Sequence, residues 1–351
     1  MSCCRWLPAV LLILTVLLAA CERQNIHRYQ SFAFGTLIEI KIRGDDKALA
    51  NQAAASLFTD FDRMHTDWHA WQPGALTQTS NLLATEEWFS ADRAVLALIK
   101  LSKEYSQLSD GLFNPTIGKL IQAWGFQGSE PLQTPPSQET ITHLLDSLPT
   151  VNDIDIDGDR LRGHNSQMQL DLGAIAKGYA VSTGIQKLRD QGIKHALINA
   201  GGDLCGFGDQ GQRPWRIGIR DPSANGIIAS IELEKDECVF TSGDYERHFT
   251  HEGKRYHHII DPRTGYPADQ AVSVTVLHNN GALADAASTA LFIAGPDYWQ
   301  EIATNMGVSD VMIIDKQGRI IMTPSMQKRI NLEAKNQDRE ISISKPLTYD
   351  L

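Results

Sequence analysis

The chain has 351 residues, with 32 Lys and Arg against 42 Asp and Glu, a formal net charge of −10 and a hydrophobic fraction of 42%. This ordinary globular composition argues against a disordered, collagen-like or disulfide-scaffold protein. The acidic balance, without a Lys/Arg cluster, argues against nucleic acid as the main partner, because neutralising phosphates requires a basic face. At ~100–200 residues per domain, the length allows one large domain or two.

The first 21 residues have the pattern of an export signal. Arg5 is the only charge before Cys21, and residues 7–20 form an apolar run that ends in small residues. Such a run is too short to span ~30 Å of hydrocarbon as a helix, so a cleaved signal is favoured over an uncleaved membrane helix. Residues 18–21 (Leu-Ala-Ala-Cys) resemble the bacterial lipobox, which implies removal of residues 1–20 and lipidation of Cys21.

A lipidated Cys21 predicts a protein held at a membrane of the bacterial cell envelope, on its periplasmic face. Glu22 after the cysteine favours the outer membrane, although the inner membrane stays open. Cys205 and Cys238 could form one disulfide in an exported protein, but two cysteines define no disulfide framework.

The rest of the chain is predicted to form a single large domain over residues 31–324, after a tether at 21–30 and before a polar tail at 325–351. Isoleucines 38, 40 and 42 alternate with charged residues, which predicts a half-buried strand. Apolar residues at helical spacing predict helices over residues 45–66, 91–108, 137–148, 174–190 and 282–293. Short strands are predicted at 196–199, 215–220, 227–233, 238–241, 256–260 and 272–277, with hairpins around Asp157-Gly158 and over 311–322. Because strands outnumber helices without alternating with them, we predict an α+β fold around a largely antiparallel sheet.

Two Gly- and Asp-rich segments stand out in the first half of the chain. The first, residues 109–126, contains Ser-Asp-Gly-Leu-Phe-Asn-Pro and ends in Trp-Gly-Phe; a helix stop followed by a new helix would also explain it. The second, residues 171–179, reads Asp-Leu-Gly-Ala-Ile-Ala-Lys-Gly-Tyr. An N-cap alone would explain Asp171. A helix N-terminus close to Lys177 would also suit a phosphate.

Two further segments lie in the second half. Residues 241–247 (Thr-Ser-Gly-Asp-Tyr-Glu-Arg) and 255–267, which include His258, could form a plain hairpin. Asp285 and Thr289 lie in an otherwise apolar helix at positions i and i+4, so they share one helix face. Buried oxygen side chains need a partner, which could be a hydrogen-bond donor or a hard cation.

Together and in this order, the four segments resemble the ApbE family of flavin transferases, the FAD:protein FMN transferases. The resemblance also covers the Gly-Gly-Asp of residues 201–203 and the spacing from Trp215 to Asp221-Pro222, and it runs from about Phe34 to Gly295. It implies an ApbE-like (T-fold-like) fold and a flavoprotein chemistry in which FAD is the substrate.

Carried over residue by residue, the resemblance implies a flavin site and a metal site. FAD is expected to contact Phe34, Trp71, Leu112, Phe113, Asn114, Asp171, Lys177 and Ile260. Magnesium is expected on the backbone carbonyl of Ala174 and the side chains of Asp285 and Thr289. Ser288 stands where some members carry a third Asp ligand, Trp68 could replace Trp71, and His258 is expected to be the catalytic base.

The implied reaction transfers FMN from FAD to a Thr or Ser hydroxyl of an acceptor protein and releases AMP. Phosphoryl transfer of this kind depends mainly on positioning and on stabilising negative charge, and the hydroxyl needs a base to accept its proton. The chain carries no flavinylation acceptor sequence of its own, so separate redox proteins, such as subunits of sodium-pumping NADH:quinone oxidoreductases, are the expected acceptors. Two alternatives stay open: an FAD pyrophosphatase that gives FMN and AMP, and a non-catalytic flavin-binding lipoprotein.

Overall fold

The computed structural model describes residues 25–128 and 132–348. The predicted signal segment and the proposed lipidation site, Cys21, lie outside the described residues. Within the described ranges, no helix combines the length and the apolar character needed to cross a membrane.

The described chain contains seventeen strands and eight α-helices, numbered here in chain order. The strands are β1 (Ile26–Ala33), β2 (Thr36–Arg43), β3 (Phe89–Ser90), β4 (Ile154–Asp157), β5 (Arg160–Gly163), β6 (Ala196–Ala200), β7 (Asp203–Phe207), β8 (Arg216–Arg220), β9 (Ile227–Glu232), β10 (Glu237–Gly243), β11 (His248–His251), β12 (Lys254–His257), β13 (Ala271–His278), β14 (Asp310–Asp315), β15 (Ile320–Met322), β16 (Ile330–Leu332) and β17 (Ile341–Ile343). The helices are α1 (Lys47–Asp67), α2 (Ala75–Leu83), α3 (Arg93–Leu108), α4 (Gly118–Ala123), α5 (Gln138–Asp146), α6 (Gly173–Asp190), α7 (Gly281–Asn305) and α8 (Pro324–Arg329).

Nine of the strands form one sheet in the order β1-β2-β6-β7-β10-β13-β14-β15-β17. Its neighbouring strands are antiparallel except for β15 and β17, which are parallel. Three small sheets, β16-β9-β8, β3-β5-β4 and β11-β12, complete the structure. The predicted α+β fold with a largely antiparallel sheet is therefore confirmed.

The main sheet is covered on both faces, because successive side chains of a strand point to opposite sides. Ile198 of β6 lies in the large core that contains residues of α1, α6 and α7. Its neighbour Leu197 lies in a second core with Trp215 and with residues of β8 and β9. The helices α1, α6 and α7 thus pack on one face of the sheet, and the small β16-β9-β8 sheet packs on the other, together with Met326 of α8.

Helix α7 is interrupted near its middle. Gly295 has φ 68° and ψ 179°, which is not a helical conformation, and Pro296 follows it. Proline lacks the N–H that would continue the helical hydrogen bonding. The first part of α7, which carries Asp285 and Thr289, therefore ends close to the predicted limit of 293.

Both ends of the described chain hold more structure than the sequence predicted. Strand β1 begins within the predicted tether of residues 21–30, and the predicted polar tail contains α8, β16 and β17. β1 is an edge strand in which only Ala33 is buried, so it lacks a strong apolar alternation. The tail is held by polar contacts, such as the pair that Arg339 forms with both carboxylate oxygens of buried Asp221 at 3.0 Å. Hydrophobic periodicity does not register contacts of this kind.

Cys205 and Cys238 form a disulfide between directly paired positions of β7 and β10. The sequence had allowed this bond without requiring it.

Candidate active site at the crossing of α6 and α7

Two of the segments singled out in the sequence meet where α6 crosses α7. Gly178 makes the crossing close, because a Cβ atom at this position would lie 2.2 Å from the carbonyl oxygen of Gly281 and 2.7 Å from the Cβ of Asp285. The Gly178 N–H donates to Oδ2 of Asp285 at 2.8 Å. The crossing therefore joins the start of α6 directly to the carboxylate predicted to bind metal.

Lys177 lies between two carboxylates at this crossing. Its Nζ is 3.0 Å from Oδ2 of Asp203 and 3.6 Å from Oδ1 of Asp285. Burial opposes the charged ammonium, but the two carboxylates outweigh it and raise the pKa of Lys177. Burial also raises the pKa of Asp285, to about 6, against the opposing effect of Lys177. The site therefore keeps a lysine cation beside a carboxylate that is costly to bury in its charged form.

A group of hydroxyls continues the site along α7. Ser242 Oγ, at the end of β10, lies 2.8 Å from Ser288 Oγ and 3.1 Å from Thr289 Oγ1. Ser288 also donates to the backbone carbonyl of Asp285 at 2.9 Å. Ser288 thus contacts both its own helix and β10, and Thr289 also contacts β10.

The donor set fits a hard divalent cation. In a regular α-helix the Gly178 N–H would pair with the carbonyl of Ala174, and here this N–H donates to Asp285. The carbonyl oxygen of Ala174 has two lone pairs and so keeps acceptor capacity, and Asp285 and Thr289 add a carboxylate and a hydroxyl oxygen. Oxygen donors of this kind suit magnesium or calcium. Over residues 25–128 and 132–348, no group of three His, Cys, Asp or Glu side chains could hold a metal. A cation here would accordingly need the backbone and hydroxyl oxygens as well as Asp285.

His258 lies beside this site, next to the ring of Phe126. The backbone carbonyl of Arg247 accepts from the His258 backbone N–H at 3.1 Å and lies 3.3 Å from Nδ1. Because a carbonyl oxygen can only accept, Nδ1 carries the proton in this contact and Nε2 keeps its lone pair. Burial, followed by the charge of Arg247, lowers the pKa of His258 well below 6.5. The imidazole is therefore neutral at pH 7 and able to accept a proton at Nε2.

Phe34 forms the turn between β1 and β2 and has a positive φ of 52°, which is unusual for a bulky residue. Its ring stacks on Trp68, with centroids 6.1 Å apart, and its N–H donates to His65 Nδ1. Trp68 is buried and its Nε1 donates to the carbonyl of Ala94. Trp71 is partly exposed, and its backbone N–H donates to His69. Of the two candidate tryptophans, the one in contact with Phe34 is Trp68, and the predicted role of Trp71 stays a prediction.

The remaining residues predicted to bind flavin are engaged with protein atoms. Leu112 and Phe113 are buried in the large core, and Ile260 is buried in a third apolar cluster around Trp124. Asn114 accepts from the N–H and the hydroxyl of Thr116 and donates to the carbonyl of Pro149. These contacts give each of the four a structural role, and their contact with flavin stays a prediction.

Asp171 accepts the N–H of Gly173 at 2.8 Å in the turn that leads into α6, but the N-cap residue of this helix is Leu172, so the predicted N-cap role of Asp171 is wrong. Asp171 is partly exposed, and its carboxylate opposes the effects of burial and of His65, which together lower the pKa of His69. The bond to Gly173 uses Oδ1 of Asp171, so Oδ2 can still accept from a ligand.

The fold brings two further residues, Asp203 and Ser242, to the crossing, and neither is among the site residues predicted from the sequence. Asp203 follows Gly201 and Gly202, which both have positive φ and form the turn into β7. Its Oδ1 accepts the N–H of Thr241, and its Oδ2 holds Lys177. Ser242 reaches the site from β10. The Gly-Gly-Asp and Thr-Ser-Gly motifs were noticed, but only the pairing of the strands shows that they meet.

Residues 34–313 match the ApbE family model. An FAD:protein FMN transferase of Rhodobacter capsulatus is 42% identical over 299 residues, which cover 85% of this chain and 57% of that protein. One from Klebsiella pneumoniae is 31% identical over 312 residues, which cover 88% of this chain and 95% of that protein. The crystal structure of the ApbE protein from Thermotoga maritima superposes with a TM-score of 0.79 at 33% identity, covering 87% of this chain and 99% of that one. The chain thus spans little more than half of the Rhodobacter relative and nearly all of the other two. These matches confirm the resemblance inferred from the motifs, and the chain belongs to the ApbE family.

Proposed function

We propose that this chain transfers the FMN moiety of FAD to a Thr or Ser hydroxyl of an acceptor protein in a magnesium-dependent reaction that releases AMP. Relatives that are up to 42% identical to this chain over the aligned residues carry the name FAD:protein FMN transferase, and this supports the predicted enzyme class. The observation that carries the finer proposal is the convergence of Lys177, Asp285 and Thr289 at one helix crossing.

The chemistry needs negative charge to be stabilised. The acceptor oxygen forms a bond to the FMN-side phosphorus, and the bond from that phosphorus to the bridging oxygen of the diphosphate breaks, so AMP leaves with the bond's electron pair. Lys177 supplies one positive charge beside the diphosphate, and its raised pKa keeps it protonated at neutral pH. Ala174, Asp285 and Thr289 would hold magnesium, which supplies further positive charge against the phosphate oxygens when bound.

The acceptor hydroxyl must lose its proton as it attacks. His258 can take that proton at Nε2, because the Arg247 carbonyl engages Nδ1 and the imidazole is neutral. A base positioned in this way contributes ~10²–10⁴-fold to the rate of such a step. The side chains of Phe34, Trp71, Leu112, Phe113, Asn114, Asp171 and Ile260 are proposed to bind the flavin and its neighbouring groups.

The acceptor is proposed to be a separate redox protein exposed on the same side of a membrane. Subunits of sodium-pumping NADH:quinone oxidoreductases, or of related complexes, are proposed as such acceptors. Lipidation at Cys21 would place the enzyme on the periplasmic face of the cell envelope, with the outer membrane slightly favoured, and two or three acyl chains would anchor it stably.

One experiment tests this proposal against both alternatives. The chain without residues 1–20 is incubated with FAD, Mg²⁺ and a peptide that carries a flavinylation motif, and fluorescent peptide, free FMN and AMP are measured. Fluorescent peptide with an equal amount of AMP supports the transferase. AMP with only free FMN would indicate a pyrophosphatase, and bound FAD without AMP would indicate a carrier; either result would overturn the proposal.

A further inference from the structure

We propose that Asp203 is a positioning residue that holds the Lys177 ammonium away from Asp285 and so keeps the Asp285 carboxylate available for a divalent cation. This inference rests on the proposed function and extends it, because neither the motif analysis nor the family resemblance gave Asp203 a role.

The ammonium of Lys177 lies closer to one of its two carboxylate partners than to the other. Its Nζ is 3.0 Å from Oδ2 of Asp203, which is a hydrogen-bond distance, and 3.6 Å from Oδ1 of Asp285, which is not. Asp203 is therefore the direct partner of Lys177. Asp285 interacts with the Lys177 ammonium mainly through the attraction between their opposite charges.

Asp203 is itself fixed in place. Its side chain is 11% exposed, and its Oδ1 accepts the backbone N–H of Thr241 on the neighbouring strand at 3.0 Å. The Gly201-Gly202 turn before it, with φ of 69° and 108°, is a conformation that residues with a Cβ rarely adopt. Both its rotamer and its backbone are thus set by the sheet rather than by Lys177.

The charges of Lys177, Asp203 and Asp285 explain why the position of the lysine affects cation binding. Two carboxylates and one ammonium leave a net charge of −1, which attracts a cation. Without the Asp203 carboxylate the sum becomes zero, and Asp285 is left as the nearest anionic partner of Lys177. Because a partly buried ammonium is stabilised by an anionic partner, the lysine would then close the remaining gap and compete with the metal.

The test measures Mg²⁺ binding to the FAD-free protein by isothermal titration calorimetry. We expect Asp203→Asn, which keeps the shape but not the charge, to weaken Mg²⁺ binding at least 10-fold. Asp203→Glu should restore much of the affinity. The double variant Asp203→Asn with Lys177→Met should also regain it, because the competing cation is gone. Wild-type affinity in Asp203→Asn, or no recovery in the double variant, would overturn the inference.

The matched control is Asp221→Asn, which removes another buried carboxylate, one that pairs with Arg339 and lies in contact with the tail. It should lower stability without changing Mg²⁺ affinity; equal weakening by both variants would overturn the inference. If Asp203→Asn does not fold, Mg²⁺ binding to the single variant Lys177→Met tests the inference instead. Because the two carboxylates then carry a net charge of −2, a gain in Mg²⁺ affinity of less than 10-fold supports the inference, and tightening of 10-fold or more would show that Lys177 already occupies Asp285.

The wild-type transfer assay with FAD, Mg²⁺ and acceptor peptide runs in parallel. Absence of FMN transfer by the wild-type protein would overturn the proposed function. Normal transfer by the wild type, combined with wild-type Mg²⁺ affinity in Asp203→Asn, would overturn only the role of Asp203.

Discussion

The close crossing of α6 and α7 leads to a prediction for Gly178→Ala. The added Cβ would lie 2.2 Å from the Gly281 carbonyl oxygen, whereas ordinary contacts begin at 3.4 Å, so the helices must separate by about 1.2 Å at this point. The obstacle is backbone, which cannot rotate away as the tip of a side chain can. Overpacking of this kind costs ~1–3 kcal/mol.

Gly184→Ala on the same helix is the matched control. Its Cβ would meet the tips of the Ile198, Leu57 and Phe61 side chains at 3.0–3.1 Å, which requires shifts of a few tenths of an ångström. Both substitutions gain the ~1 kcal/mol by which Ala exceeds Gly in helix propensity, so this gain cancels in the comparison. Gly178→Ala should then be less stable than Gly184→Ala by about 1–3 kcal/mol.

Urea unfolding of the two variants, followed by far-UV circular dichroism, measures that difference. AMP release should also fall at least 10-fold in Gly178→Ala, because a wider crossing separates the Gly178 N–H from the Asp285 carboxylate. If Gly178→Ala proves as stable and as active as Gly184→Ala, the close crossing is not what positions Asp285.

Three further predictions concern single side chains. Asp285→Asn should reduce AMP release at least 100-fold and remove the rise in melting temperature that Mg²⁺ gives the wild type; a retained Mg²⁺-dependent rise would refute the metal assignment. His258→Asn should slow FMN transfer ~10²–10⁴-fold with little change in FAD affinity, and a change confined to affinity would argue against a base. Burial lowers the pKa of His257 to about 4, although its hydrogen bond to the Ala268 carbonyl opposes this shift. The neutral imidazole therefore contributes its full stabilisation above pH 6.5, the ordinary pKa of histidine, and this contribution is lost as the pH falls towards 4. Between pH 7.5 and 5 the wild type should lose about 2 kcal/mol of unfolding free energy that His257→Asn does not lose, and parallel losses in urea unfolding would contradict this.

Much of the fold could be predicted because the large helices and central strands have a clear hydrophobic period. The helices predicted at 45–66 and 174–190 are Lys47–Asp67 and Gly173–Asp190 in the structure. Helix α2 was missed because Thr79 and Ser80 are among its buried residues and blur the apolar pattern. Strand β7 was missed because all five of its residues are buried, which removes the alternation that marks a strand.

The candidate site likewise contains residues that could be predicted from local sequence and residues that could not. The i, i+4 spacing of Asp285 and Thr289 and the start of α6 shortly before Lys177 are local features, and the structure has both helices where the sequence predicts them. Asp203 and Ser242 reach the crossing from separate strands, and their arrival depends on the pairing of β7 with β10 and of β10 with β13. Such long-range pairing has no signature in a single sequence.

The parallel strand β17 has a consequence for how the protein is made. Among the described residues it is the last strand, and it lies at the edge of the sheet, beside β15, with Ile320 opposite Ile341. Until the ribosome has delivered this segment, β15 presents an open row of backbone hydrogen-bonding groups, which is a site for unwanted pairing with other chains. Synthesis that stops between β15 and β17 would therefore release a nearly complete sheet with an unprotected edge, and such fragments should aggregate more readily than the finished chain.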